Sequence, residues 1–146
     1  ILRKSYAAQK GLDGTREIKS FDAEKEYIDN LVSSDFVLAP KGHGNASIRF
    51  YEILSLGRIP VLINTDCPLP LDGYIDYSKF IVDVHHARTQ ETEQKILNFY
   101  NALNDKEWKE RQKMAREAFK LLRPASFLKI VLLKLKKLNA ENGAHG

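Results

Sequence analysis

The chain has a single cysteine, Cys67, among 146 residues, so no intrachain disulfide can form and a hydrophobic core must hold the fold. It has no apolar run long enough to cross a bilayer, since the longest, over residues 127–138, is interrupted by lysines. The opening residues lack a secretory signal pattern. A large excess of one charge sign is also lacking: a net +4 and a pI near 9.1 favour anionic ligands but fall short of a nucleic-acid-binding signature. There is no internal repeat, no low-complexity segment and no Cys/His/carboxylate cluster at metal-ligand spacing. What is present is the composition of one soluble globular domain, 43% apolar and 29% charged. The start at Ile1, without a methionine, is that expected of a piece of a longer protein.

Residues 35–70 read DFVLAPKGHGNASIRFYEILSLGRIPVLINTDCPLP. Their pattern predicts a buried strand over 36–39, a glycine-bearing loop over 40–46, a short helix over about 47–56 stopped by Gly57, and a second buried strand over 59–63. This is a βαβ crossover and implies a parallel sheet. Open sheets of this kind bind ligands outside the carboxyl ends of their strands, which is where the loop falls.

Elsewhere residues 1–20 read as an extension or linker with a short strand at most. Asp22 caps a predicted helix over 22–33 with Tyr27, Ile28 and Leu31 on one face. A loop is expected over 64–73, a strand over 80–84 (FIVDV), a turn at 85–88 and a helix from Thr89. Asn104 with Glu107 has the spacing of a capping box, opening a helix that turns Trp108, Ala115, Phe119 and Leu122 inward. Pro124 breaks the pattern. A last helix over 125–138 has Phe127, Val131, Leu135 and Leu138 on one stripe. Its lysines read as a solvated face, with contact to an anionic membrane the lesser alternative. Residues 139–146 are expected to be disordered, which leaves 21–138 as the ligand-binding domain.

Gly42 and Gly44 let the backbone approach a ligand closely. Asn45 or Ser47 can cap the helix that follows, whose amides and positive dipole end suit an anion. The first turn of that helix carries no acid. Lys41 in the loop and Arg49 one turn into the helix can reach an anion held there, and Arg offers a fork suited to phosphate oxygens. Glu52 shares a face with Arg49 and can accept hydrogen bonds from ribose hydroxyls. Together they describe a nucleotide diphosphate site, although Arg49 with Glu52 equally fits a plain surface ion pair. His43 can touch a phosphate or act as an acid or base near neutral pH, and equally fits a solvated loop histidine. Asp66 and Asp72 flank the loop where a sugar on the nucleotide would lie, and both also suit turns. His85 and His86, being adjacent, are expected to point apart, so no metal site is expected.

In order along residues 26–84, Ser34, Phe36, Leu38, Pro40, Gly42, Ser47, Arg49, Glu52, Gly57, Ile59, Pro60, Val61, Leu69, Pro70 and Phe80 match a pattern that resembles the C-terminal part of exostosin-family glycosyltransferases. The resemblance implies a GT-B fold of two Rossmann-like halves, of which this chain is the C-terminal, donor-binding one. It implies that Ser47 and Arg49 hold the pyrophosphate and Glu52 the ribose of a UDP-sugar, with no metal and with a glycan as acceptor. The acceptor site and catalytic base are then expected in a missing N-terminal half, with the closing helix crossing back to it. The chain departs from the family in carrying His85 and His86 where members usually have a Glu. A cytoplasmic setting suits the lone cysteine, and a Golgi membrane setting a eukaryotic relative. From another class, the alternative is a non-catalytic nucleotide- or glycan-binding module derived from such a domain.

Overall fold

The first four residues of strand β2 (Ile59–Asn64) are all buried, as befits a strand covered on both faces with a parallel neighbour on each side. β1 (Phe36–Ala39) pairs with it in the register Phe36 to Ile59, and β3 (Val82–His85) in the register Val61 to Val82. The computed structural model describes residues 20–41 and 47–143. Around this three-stranded sheet lie α1 (Ser20–Ser33), α2 (Ile48–Ser55), α3 (Thr92–Asn101), α4 (Asp105–Leu122) and α5 (Pro124–Gly143). A small parallel sheet flanked by helices is the α/β arrangement of a Rossmann-like half of a GT-B fold.

The β1–α2–β2 crossover has the expected boundaries to within a residue, and its backbone explains why. Gly57 takes φ +64° after α2. Its N–H donates to the Leu54 carbonyl and that of Arg58 to the Ile53 carbonyl, the paired bonds of a Schellman stop. A side chain at Gly57 would also meet the Gln112 carbonyl of α4 at 3.1 Å, so the glycine lets α2 and α4 approach closely. α2 turns Phe50, Ile53 and Leu54 into the core beside Ile59, Val61 and Val84. Each such side chain contributes roughly 1.5–3 kcal/mol by leaving water. The edges of Phe36, Phe99, Tyr100 and Trp108 meet at ring separations of 5.2–6.4 Å, tying α3 and α4 to β1. Asn104 and Glu107 form the expected reciprocal capping box at the start of α4.

The chain differs from its sequence pattern in five places. α1 already includes Ser20 and Phe21, so Asp22 lies within its first turn rather than at its cap. On α1, Leu31 is buried but Ile28 is about half exposed. Phe80 and Ile81 are buried yet precede β3; their N–H groups both donate to the Tyr77 carbonyl, closing the short 3-10 helix Tyr77–Lys79. Their apolar run signals burial and not an extended backbone. His85 ends β3 instead of opening a turn, and a 3-10 segment, His86–Glu91, precedes α3. α5 continues through Gly143, because Ala140 and Glu141 keep helix propensity after the apolar stripe has ended. The reading of residues 1–19 lies outside the described residues.

β2 reaches β3 without an α-helix. The connection is anchored instead by buried Ile75, Tyr77, Phe80 and Ile81, and by the Tyr77 hydroxyl donating to the Pro70 carbonyl at 2.7 Å. It therefore forms a fixed wall at the carboxyl edge of the sheet. Among the described residues no helix is long and apolar enough to cross a membrane.

Candidate functional site

At the carboxyl ends of β1 and β2 a narrow cavity of about 40 Å³ opens between the start of α2 and this wall. Lys41, Ser47, Phe50 and Tyr51 line one side, and Asn64, Thr65 and the run Cys67 to Pro70 the other. Asn64, Cys67, Pro68 and Leu69 also bound a wider trough of about 720 Å³ that extends along Asp72 to Ser78 and ends at Asp83. Small-molecule sites commonly measure about 300–1,000 Å³, so the trough has room for a ligand and the cavity only for a group at one end of it.

Ser47 occupies the N-cap position of α2 with extended backbone, is buried, and makes no side-chain capping bond. No acid stands in the first turn. The helix therefore begins with no negative side chain of its own against its positive end.

One turn further, Arg49 and Glu52 converge on Tyr27 of α1. The Tyr27 hydroxyl donates to Glu52 Oε2; Arg49 Nε donates to the same hydroxyl oxygen at 3.3 Å, and the guanidinium carbon lies 5.1 Å from the ring centre. Burial pushes the Tyr27 phenol above its usual range, and its bond to Glu52 pushes it further, while Arg49 opposes both. The cation and the acid are thus fixed from another element, which a simple i,i+3 surface pair would not require.

A third group forms where β3 ends. Asp66 takes φ +59°, its N–H donating to Asn64 Oδ1 at 2.9 Å. His85 Nε2 faces Asp66 Oδ1 at 3.4 Å. Contrary to expectation, His85 and His86 do not point apart: the change from strand to 3-10 turn between them brings their rings to 4.4 Å. Ligand atoms of Asp66, His85 and His86 lie within 4.8 Å of one another. The Ala87 amide donates to His85 Nδ1, which leaves the proton of a neutral ring on the Nε2 that faces Asp66. His86 Nδ1 lies 3.2 Å from the Asn64 carbonyl, an acceptor, so a neutral ring there would carry its proton on Nδ1 and its lone pair on Nε2. In their neutral forms the two rings would hold opposite tautomers. A cation there would find a ready ligand in His86 and would have to displace the His85 proton.

The candidate residues accordingly divide. Lys41 and Ser47 meet at the cavity; Arg49 and Glu52 meet on the adjoining face of α2, against α1; Asp66 joins the histidines; and Asp72 lines the trough. Gly42, His43, Gly44 and Asn45 lie outside the described residues. Tyr51 in the cavity wall and the bridging role of Tyr27 were not foreseen. Tyr27 was readable as one of the residues on the apolar face of α1, but nothing in its spacing reveals a partner 25 positions away.

Residues 3–99, well over half of the chain, match the family described as the Exostosin GT47 domain. Over 59 residues, 40% of the chain, it is 36% identical to an Arabidopsis thaliana protein named as a probable glycosyltransferase and 37% identical to the exostosin-1 homolog of Caenorhabditis elegans. The matched stretch spans only 13% and 15% of the length of those two proteins. No solved structure matches. α4 and α5 lie beyond the family match.

Proposed function

The chain belongs to the exostosin GT47 family, and on that premise we propose that it binds the nucleotide-sugar donor, a UDP-sugar, of a glycosyltransferase that extends a glycan. The observation that carries this reading is the start of α2. A helix end without capping bond or acid stands at the carboxyl edge of a parallel sheet, with Lys41 beside it, Arg49 on the adjoining face of the same turn and a trough leading away. The pyrophosphate would meet the α2 amides, Ser47, Lys41 and Arg49, and the ribose hydroxyls would bond to Glu52. The sugar would then extend toward the loop that carries Asp66 and Asp72.

In transfer, an acceptor hydroxyl loses its proton to a base and attacks the anomeric carbon as the nucleoside diphosphate departs. Negative charge grows on the departing phosphate. Fixed cations and aligned amides aimed at that charge lower the barrier, as donors do in an oxyanion site. Arg49 rests over the Tyr27 ring on the adjoining face of α2, so it would swing from there toward the cavity to join Lys41 and the amides. The reading assigns neutralisation of the leaving group to these residues and calls for no metal. The base and acceptor site are assigned to a second GT-B half.

Calorimetric titration of the chain with UDP, UMP and uridine, each with and without EDTA, tests the proposal. Binding of UDP well above UMP, unchanged by EDTA, is expected from a site built on the second phosphate. Equal binding of UDP and uridine would place the recognition elsewhere.

A further inference from the structure

Asp66, His85 and His86 come from three pieces of backbone at the carboxyl edge of the sheet: the loop after β2, the last residue of β3 and the first of the 3-10 segment that follows. An ordinary ion pair would account for Asp66 and His85 alone. Their facing atoms stand 3.4 Å apart, beyond the usual reach of an N–H···O bond, roughly 2.7–3.2 Å. The spacing equals the edge of a tetrahedron whose ligands lie about 2.0–2.1 Å from its centre, an edge of about 3.3–3.4 Å. His86 then has no part in a simple pair, yet its ring lies 4.4 Å from that of His85 and its ligand atom within 4.8 Å of the other two.

The surroundings hold the three as metal ligands are held. Asn64 serves two of them: its Oδ1 accepts from the Asp66 N–H, and its carbonyl faces His86 Nδ1. A histidine whose Nδ1 is engaged by a carbonyl presents Nε2 to an ion, the usual arrangement of a ligating histidine. Asn64 is in turn fixed by its Nδ2, which donates to Asp83 Oδ2 at 3.1 Å. His85 can join as a neutral ring by moving its proton from Nε2 to Nδ1, which gives up the 3.2 Å bond from the Ala87 amide. Two imidazoles with one carboxylate suit zinc and cobalt, whereas magnesium and calcium take oxygen ligands. We propose that Asp66, His85 and His86 bind a divalent cation of the zinc class, which ties the β2–β3 connection to the end of β3 and keeps its fourth position for water. None of the three ligands belongs to the phosphate site at the start of α2.

The test is calorimetric titration of the 146-residue chain, stripped with EDTA and dialysed, with the chlorides of zinc, magnesium and calcium. A single equivalent of zinc should bind, and neither of the others. His86→Ala and Asp66→Ala should each weaken zinc by about tenfold or more and keep the metal-free Tm, since both side chains are exposed. The double variant His43→Ala/His145→Ala, which removes the other two histidines, and Cys67→Ser should both bind zinc as the parent does. Cobalt should give visible bands without the near-ultraviolet absorption of a thiolate ligand. No zinc binding, equal binding of calcium, an affinity unchanged by His86→Ala, or one lost in either control variant would each overturn the proposal. UDP is titrated separately, so neither result stands in for the other.

Discussion

The Tyr27 hydroxyl stands between Glu52 and Arg49, donating to the first and accepting from the second, so the acid and the cation of α2 are positioned by α1. Tyr27→Phe removes both bonds at once and leaves the two side chains to close on each other. The expected result is a loss of about 1–2 kcal/mol in stability, the range for a partly exposed bond to a charged group, together with a severalfold weaker affinity for UDP. Urea unfolding and calorimetry measure the two separately. Unchanged affinity would mean that Tyr27 serves only the fold.

Burial raises the Tyr77 phenol far above its usual range, with smaller contributions from Tyr51 and Asp72. The sign follows from linkage. A folded-state value above the unfolded one gives stability that is complete below about pH 10. It falls away above that, as the unfolded chain ionises first. At pH 8, Tyr77→Phe should be about 1 kcal/mol less stable, having lost the bond to the Pro70 carbonyl. Above pH 10 the gap between variant and parent should narrow, and urea midpoints that run parallel across this range would contradict the assignment.

Gly57→Ala tests the stop of α2. The backbone there is left-handed, and the added methyl would sit 3.1 Å from the Gln112 carbonyl. A cost of roughly 1–3 kcal/mol is expected, from the strain of a side chain in that conformation plus the displaced α4 contact. Unfolding midpoints would reveal it. A variant as stable as the parent would show that α2 and α4 can separate without loss.

The parts of the fold that were legible are those encoded locally. Short apolar runs punctuated by Gly57 define β1, α2 and β2, and a side chain three residues from its partner defines the Asn104–Glu107 cap. Phe80 and Ile81 misled because burial and strand geometry coincide only when the backbone is extended, and here Tyr77 turns it. The site was legible as a list and not as an arrangement. Arg49 and Glu52 share a face as their spacing requires, but that face turns to α1 while Ser47 turns to the cavity. The convergence of His85, His86 and Asp66 depends on a change of backbone within a single residue step, to which periodicity is blind.

The most direct measurement is thermal unfolding of the chain with and without UDP, beside Arg49→Ala. At a hundredfold its dissociation constant a ligand adds about 2.7 kcal/mol of stability, so a donor site predicts a clear rise in Tm. In the variant the rise should fall to between about half and about a tenth of the parent's at the same UDP concentration, because a charge-assisted bond is worth about 1.5–3 kcal/mol, or roughly 10- to 150-fold in affinity. An equal rise in both proteins, or none in either, would contradict the assignment of the donor phosphates to the start of α2.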